Sequence, residues 1–582
     1  MLGSEQVIEG FRLSPQQKRV WQLQHDSRAF SAQSAMLIEG EIETQILERA
    51  LTKMMQRHEI LRTTLDWFPG LATPVQIILD RPPLPYRIVD LSDRRPEDLD
   101  CAVDGLIKEE SRPFDLKRGL LVRFCLAKLQ ASRSALVVTL HSLCADSRTL
   151  RNLFKEISRH YASELKGQEV SDEPVQYLQY SEWQNEMLEA QDRSRAGEPP
   201  ALELTLPLES HGDGTAKLSH RQFAPEVITS TLDSRIAERI EGVSRTYNSS
   251  ISGFLLACWQ ILLWRLTGEE EITIDCILDG RPFEDLHTAL GLFAGPAPVR
   301  GVLGPDLRFG EALKRAIKSL EQAEASQELF LLEMTKDGAA DRAGAIGFEY
   351  EERPAAEQAG AIRFSYWRQA VCIDRCKLKL GAARTAGGLL IDLLYDPAVF
   401  SPRSMELMRE RLLSVLESAL DNEGGLIGTF EIVGPRERQQ LLIDWNRTHR
   451  TLTEPRPLHQ LIAEQAAARP EAIAVCDEQR QLSYGELERR ANRLAHRLRA
   501  LGVGPESVVG LHFRRSVEMI VGLLGILKAG AAYLPLEVGQ PEERLRVMIA
   551  DAGVKVLVGR EETGLSLAAG IEQVMLDRDE QL

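Results

Sequence analysis

The chain has 582 residues, of which 43% are hydrophobic and 27% are charged, so its composition is that of an ordinary globular protein. This length exceeds what one hydrophobic core supports, and it predicts about two to four domains. The net charge of −16 argues against a nucleic-acid-binding role, which needs a basic surface.

The first third of the chain alternates predicted helices and strands. Ser14 followed by Pro15 is typical of a helix N-terminus and starts a helix predicted at 14–27. Apolar residues at helical spacing predict further helices, and apolar, β-branched runs predict strands. These elements are helices at 44–58 and 149–165 and strands at 34–41, 74–80, 119–128 and 134–141.

Two linkers are predicted from stretches that carry Pro and Gly, at 196–216 and 431–457. Between them we predict helices at 234–247, 251–266 and 402–420 and a strand at 271–277. After them the chain is rich in Ala, Leu and Arg, with short strands predicted at 472–476, 507–512 and 555–558. The linkers divide the chain into domains at 1–195, 217–430 and 458–582.

Targeting, membrane and metal-binding signals are weak in this sequence. The N-terminus lacks the basic start and apolar core of a signal peptide. The most apolar stretches, 251–266 and 519–536, are too short for a membrane span or are interrupted by charge. Eight cysteines are scattered, and the closest pair, Cys372 and Cys376, has no neighbouring histidine pair. We therefore expect a reduced, cytoplasmic protein with no metal and no membrane contact.

The most informative stretch is 140–148, Leu-His-Ser-Leu-Cys-Ala-Asp-Ser-Arg, which directly follows an apolar predicted strand. It resembles the active-site motif of condensation domains in nonribosomal peptide synthetases, His-His-x-x-x-Asp-Gly. His141 matches the first histidine and Asp146 the aspartate. Ser142 stands in place of the second histidine, and Ser147 in place of the glycine.

Further motifs follow the order of the same family. Residues 14–21 are similar to its opening motif, and 57–63, Arg-His-Glu-Ile-Leu-Arg-Thr, match its second motif almost letter for letter. Residues 177–183 resemble its fourth motif. Residues 291–296 resemble its fifth motif, but Ala-Gly-Pro replaces the expected asparagine and threonine. The sixth and seventh motifs are not recognisable, although 327–333 and 346–352 occupy their places.

The last segment, from about residue 458, resembles the start of an adenylation domain of the AMP-forming ligases. Leu-Ser-Tyr-Gly-Glu-Leu at 482–487 matches that family's first motif, and 527–536 match its second. The phosphate loop and the lysine-bearing lobe of that family do not occur in these residues, so adenylation by this chain alone is not expected. A partial ligase sheet also predicts that 458–582 is less stable than the rest.

The resemblance implies an α/β fold. It is a two-lobed, V-shaped, chloramphenicol-acetyltransferase-like condensation fold, followed by a partial AMP-forming-ligase subdomain. It also implies that carrier proteins present both substrates on phosphopantetheine arms, in a tunnel between the lobes, and that no cofactor is bound directly. The expected partners are peptidyl and aminoacyl carrier proteins and the remainder of a synthetase.

In the family the second histidine orients or deprotonates the attacking amine. Ser142 has no group that titrates near neutral pH and is therefore not a general base. The family's first histidine holds structure, and we expect the same of His141, because neighbouring residues of a strand face opposite sides. Ser142 as a nucleophile is disfavoured, because its neighbour His141 lies on the opposite face. Cys144 as a nucleophile is disfavoured as well, because a small buried apolar role fits that residue better.

The other candidate residues are expected to shape the site. The family's aspartate makes an ion pair, so Asp146 is expected to pair with Arg281, or as a second choice with Arg300. Arg62 is expected to support the first lobe. Substitutions at Ser147 and Gly295 indicate rebuilt tunnel walls. The complete candidate set is His141, Ser142 and Asp146 for the motif, with Arg62, Ser147, Gly295, Arg281 and Arg300 around the tunnel.

Three functions compete. The favoured one is a non-catalytic platform, because the family contains members without the second histidine that dock tailoring oxygenases beside a carrier-bound group. The alternative is an active domain that forms an amide or ester without a histidine, by positioning alone. A third is other acyl chemistry such as dehydration, whereas an epimerase is disfavoured because that branch also uses the missing histidine.

Overall fold

The computed structural model divides by its internal contacts into two units, residues 1–446 and 447–582. Of the predicted inter-lobe linker 196–216, residues 204–209 are described and the others lie outside the described residues. The structure describes residues 10–24, 29–68, 70–71, 73–117, 119–190, 204–209, 223–334, 345–450, 456–563 and 570–578.

The first lobe contains the predicted alternation of strands and helices. Ser14 caps the first helix, where its hydroxyl accepts a hydrogen bond from the Gln17 N–H. This helix ends at Leu23 rather than at the predicted residue 27, and the next strand begins at Ser31. The elements are β1 (Gly10–Arg12), α1 (Pro15–Leu23), β2 (Ser31–Glu39), α2 (Thr44–Arg57), β3 (Thr63–Asp66), β4 (Val75–Ile78), β5 (Tyr86–Asp90), α3 (Leu99–Glu110), β6 (Val122–Gln130), β7 (Arg133–His141), α4 (Ser147–Lys166) and α5 (Tyr177–Ala190).

The second lobe is built around one largely buried helix and a sheet. Its predicted helices and the strand at 271–277 are confirmed within one or two residues. The elements are β8 (Glu226–Asp233), α6 (Ser234–Thr246), α7 (Ile251–Thr267), β9 (Glu271–Leu278), β10 (Gly295–Val302), α8 (Phe309–Met334), β11 (Ile346–Glu352), β12 (Glu357–Ala359), β13 (Ile362–Val371), β14 (Leu378–Thr385), β15 (Gly388–Tyr395), α9 (Pro402–Asp421) and α10 (Pro435–Gln439).

Each lobe has a six-stranded sheet, and one segment of the chain visits both. The first-lobe sheet has the order β12-β13-β2-β7-β6-β5, and the second-lobe sheet β10-β9-β11-β14-β15-β8. Residues 346–385, here called the crossover segment, leave the second-lobe sheet after β11 and add β12 and β13 to the first-lobe sheet. They then return as β14. A smaller sheet, β1-β4-β3, completes the first lobe.

Separate hydrophobic cores support the two lobes. In the second lobe, every residue of α7 from Gly253 to Trp264 is buried, which is why this helix is apolar on all sides. In the first lobe, eight of the nine residues of β7 are buried. Within the described part of the chain no single helix is long and apolar enough to cross a membrane, although α6 and α7 pass that test as a pair bent by 93°.

The second unit contains a parallel sheet. The elements of this unit are α11 (Leu458–Ala468), β16 (Ile473–Cys476), β17 (Gln481–Ser483), α12 (Tyr484–Ala500), β18 (Val508–His512), α13 (Val517–Ala529), β19 (Ala532–Pro535), α14 (Glu542–Asp551), β20 (Val556–Gly559) and β21 (Glu572–Met575). The predicted short strands are confirmed, and four strands pair in the order β19-β18-β20-β21, all parallel. Ser483 and Glu486 form a capping box at the start of α12, inside the first adenylation-like motif.

Candidate functional site

The motif forms a short loop between β7 and α4, residues 141–147, here called the motif loop. β7 ends at His141, and α4 begins at Ser147 with Asp146 as its N-cap. The Asp146 carboxylate accepts a hydrogen bond from the Thr149 N–H at 2.7 Å, which explains why the helix begins at this point. The loop therefore presents its side chains at the end of a buried strand.

Asp146 forms an ion pair with Arg281 from the second lobe. The two Asp146 oxygens lie 3.0 and 3.1 Å from the guanidinium nitrogens, and both side chains are completely buried. The backbone N–H groups of Phe293 and Ala294 also donate to this carboxylate, at 2.9 and 3.0 Å. Burial acts to raise the pKa of Asp146, but the Arg281 charge and these hydrogen bonds hold the pKa below its usual value.

Arg300, the second expected partner of Asp146, lies elsewhere. It pairs with Glu271 at the surface, where 60% of its side chain is exposed. Arg62 donates to the backbone carbonyls of Met55, at 3.1 Å, and Leu79, at 2.6 Å. Arg62 thus connects two backbone segments of the first lobe by hydrogen bonds.

His141 faces the interior of the first lobe. Its ring is 5.9 Å from that of Phe114 in an edge-to-face arrangement, and its Nδ1 accepts a hydrogen bond from the Leu143 N–H at 3.1 Å. Burial lowers the pKa of His141 to about 4, so the ring is neutral at physiological pH. Its Nδ1 lone pair is therefore engaged by the motif loop itself.

Ser142 is fully buried and faces the crossover segment. Its hydroxyl donates to the carbonyl oxygen of Cys372 at 2.6 Å. The Cys372 N–H in turn donates to the Ser31 carbonyl, next to the end of β7. At the position of the family's second histidine, this chain therefore has a serine hydroxyl that donates its hydrogen bond to a backbone carbonyl.

Ser147 also contacts the crossover segment. Its hydroxyl donates to the carboxylate of Glu349, on β11, at 2.5 Å. Gly295 begins β10, and an added Cβ there would lie 2.7 Å from the Leu331 side chain, so this position is tightly packed. Burial raises the pKa of the Cys144 thiol, which is consistent with a small apolar role for that residue.

Sequence reasoning missed a buried ionic cluster beside the motif loop. Lys379 lies 2.9 Å from Asp374 and 3.2 Å from Glu349, and its side chain is 4% exposed. Burial disfavours its charge, but the two carboxylates hold the pKa of Lys379 well above its usual value. A lysine between Leu378 and Leu380, in the apolar first half of a strand, was the available signal, but the spacing along the chain does not reveal its partners.

Within the described ranges, no three His, Cys, Asp or Glu side chains gather in a way that could hold a metal ion. The carboxylate oxygens of Glu349 and Asp374 instead accept hydrogen bonds from the Lys379 ammonium group and, for Glu349, from the Ser147 hydroxyl. The polar groups of the site are thus arranged as ion pairs and hydrogen bonds within the protein.

Comparison with known proteins supports the resemblance. Residues 8–442 match the family model of the condensation domain, and residues 462–581 match that of the AMP-binding enzyme. The chain is 30% identical to a linear gramicidin synthase of Brevibacillus parabrevis, over 97% of this chain and 11% of that protein. It is 26% identical to gramicidin S synthase 2 of Aneurinibacillus migulanus, over 98% of this chain and 13% of that protein. The chain thus spans about a tenth of the length of these curated relatives.

Solved structures share the fold. The four-domain nonribosomal peptide synthetase holo-AB3403, bound to AMP and glycine, has a TM-score of 0.69 at 20% identity, over 98% of this chain and 45% of that one. The X-domain from teicoplanin biosynthesis, in complex with OxyB, has a TM-score of 0.58 at 24% identity, over 73% of this chain and 96% of that one. The chain therefore belongs to the condensation-domain family of nonribosomal peptide synthetases, with the two-lobed chloramphenicol-acetyltransferase-like fold, followed by part of an AMP-binding domain.

Proposed function

We propose that this domain binds carrier-tethered aminoacyl or peptidyl groups without forming amides by the ordinary route, and that it serves as a platform for a tailoring enzyme. The observation that carries the proposal is Ser142. Its hydroxyl is 0% exposed and donates to the Cys372 carbonyl at 2.6 Å. This position therefore offers no group that accepts a proton from an amine near neutral pH.

Amide formation requires an amine that has lost its proton and a stabilised oxyanion. Losing a general base typically costs about a hundred- to ten-thousand-fold in rate. His141 does not replace the missing base, because its Nδ1 is occupied by the Leu143 N–H and its ring packs on Phe114 in the first lobe. Neither Ser142 nor His141 therefore supplies the general base that amide formation by the ordinary route needs.

The platform role is supported by the likeness to the X-domain, which was solved in complex with OxyB. We propose a tailoring oxygenase as the recruited partner, beside carrier proteins that present phosphopantetheine-linked groups. The rest of a synthetase would supply those carriers, since this chain matches about a tenth of its relatives. The eight free cysteines fit a cytoplasmic setting, where thiols stay reduced.

The activity test uses the complete chain with two loaded carrier proteins and detects dipeptidyl product by mass spectrometry. We expect wild-type protein and Ser142→Ala to give the same background rate. A wild-type rate that falls in His141→Ala but not in Ser142→Ala would show histidine-dependent condensation and overturn the proposal. A gain of product in Ser142→His would show that only the base is missing.

The recruitment test measures complex formation between the complete chain and an oxygenase encoded beside its synthetase, by sedimentation velocity. We expect a complex whose affinity is unchanged by Ser142→His, because that residue is buried. Arg300→Ala, which alters an exposed ion pair, serves as a matched surface control. If no neighbouring oxygenase forms a complex, the platform role is wrong, whereas the loss of amide formation is judged by the first test alone.

A further inference from the structure

The two residues that depart from the family motif both bind the crossover segment. Ser142 donates to the Cys372 carbonyl at 2.6 Å, and Ser147 donates to the Glu349 carboxylate at 2.5 Å. The family's glycine has no side chain for the second contact. The two serines therefore make a hydrogen bond near each end of the motif loop, and both bonds lead to the same segment.

The buried ionic cluster around Lys379 connects the Ser147 contact to both ends of the crossover segment. Glu349 lies on β11, where the segment leaves the second-lobe sheet, and Lys379 lies on β14, where it returns. Lys379 binds Glu349 and also Asp374, two residues beyond Cys372. The two ends of the segment are thus tied to each other and to the motif loop.

A residue of the opening motif adds a further contact to the same stretch. Arg19 of α1 donates to the Ile373 carbonyl at 3.0 Å, and its side chain is buried. Residues 372–374 are therefore held by the first lobe on one side and by Lys379 on the other. Because buried hydrogen bonds are costly to leave unmade, separating these groups has a high free-energy cost.

We propose that Ser142 and Ser147 fasten the crossover segment to the motif loop and so suppress local opening of the junction between the lobes. The fastening does not depend on the proposed function, because it concerns the motion of this chain alone. The two serines would then have a structural role at the positions where the family motif has its second histidine and its glycine.

The chain carries its own probes of such opening. Cys144 lies in the motif loop at 1% exposure, and Cys376 lies in the crossover segment at 7%. Cys258, at 0% exposure inside α7, reports unfolding of the second-lobe core. Cys476 is exposed, so its alkylation rate measures the activity of the reagent. Buried thiols react with an alkylating agent only when the structure around them opens locally.

The experiment measures the iodoacetamide alkylation rate of each cysteine in the complete native chain by peptide mass spectrometry. We expect Ser142→Ala and Ser147→Gly each to raise the rates at Cys144 and Cys376 roughly fivefold, the effect of one hydrogen bond of about 1 kcal/mol. The double variant should show roughly 25-fold if the two effects add. The rate at Cys258 should not change.

Two control variants separate fastening from general loosening. Ser158→Ala removes a buried hydroxyl whose bond stays within α4, to the Lys155 carbonyl, and should leave the junction thiols protected. Ser147→Thr keeps the hydroxyl and should retain protection. Unchanged rates in the double variant would overturn the proposal, as would a rise at Cys258 that parallels the rise at Cys376. The dipeptide assay is independent of these rates, so either proposal fails without the other.

Discussion

The carboxylate of Asp146 and the guanidinium of Arg281 meet at 3.0 Å, with both side chains completely buried. Asp146 also caps α4 and accepts hydrogen bonds from two backbone N–H groups of the second lobe. One carboxylate therefore joins the start of a first-lobe helix to the second lobe. Both of its oxygens are used in these contacts, which supports a structural role for the motif aspartate.

Asp146→Ala is expected to destabilise the first unit by up to about 3–5 kcal/mol, because it leaves the buried Arg281 charge with Asp279 as its remaining carboxylate partner and removes the N-cap of α4. Urea unfolding followed by tryptophan fluorescence measures this loss. Arg300→Ala is the matched control, since its ion pair with Glu271 is exposed and its removal should cost at most about 1 kcal/mol. Equal losses in the two variants would contradict the structural role of Asp146.

Gly280→Ala is expected to be more damaging than an ordinary glycine substitution. Gly280 has a φ of +67°, and an added Cβ would lie 2.1 Å from the Phe293 carbonyl oxygen. Gly268 has a similar φ of +76° and nothing within 4 Å of an added Cβ, so Gly268→Ala isolates the conformational cost. That cost is about 1–2 kcal/mol, and Gly280→Ala should exceed it in thermal unfolding. A similar loss in both variants would show that the close approach is relieved at little cost.

His141 makes stability depend on pH. Its folded pKa of about 4 lies below the ordinary value of 6.5 because burial disfavours the charged ring, so the unfolded chain binds the proton more readily. Its contribution is therefore constant above about pH 6.5 and is lost as the pH falls towards 4, by at most about 3 kcal/mol. His141→Asn, which does not titrate, should lose less stability over this window. Parallel wild-type and variant curves, obtained by thermal unfolding from pH 7.5 to 4, would refute this.

The second unit is expected to unfold before the first. Its apolar residues form three smaller cores, and Ile473, Tyr533 and Val547 are 59%, 40% and 63% exposed. Less apolar burial means less stabilisation. Hydrogen exchange at increasing urea should show that protection in β18 is lost at a lower concentration than protection in α7. Simultaneous loss in both elements would contradict this order.

Local sequence patterns predicted part of the secondary structure, whereas the long helix α8 and the strands from β10 to β15 were not predicted. The apolar run ending at His141 becomes β7, and the predicted helix at 149–165 becomes α4 with two further residues at its start. This succeeds because hydrophobic periodicity and capping residues act over a few positions. The end of α1 was predicted less well, since helix ends depend on weaker local preferences.

Partners across the two lobes were predicted only where a motif supplied candidates. Arg281 and Arg300 were both plausible partners of Asp146, and only the folded chain brings Arg281 to the carboxylate and leaves Arg300 at the surface. The contacts of Ser142 with Cys372 and of Ser147 with Glu349 were not anticipated. They join residues separated by 230 and 202 positions.

By itself, the sequence determined the family, the alternation of helices and strands, and the loss of the titratable group at Ser142, because each depends on residue identity or short-range spacing. Only the tertiary structure decided which atom accepts the hydrogen bond of the Ser142 hydroxyl and which charges surround Lys379. The physical reason is that the crossover segment joins the first-lobe sheet through β13, by long-range strand pairing with β2. That pairing places the Cys372 carbonyl beside Ser142, the position of the family's second histidine.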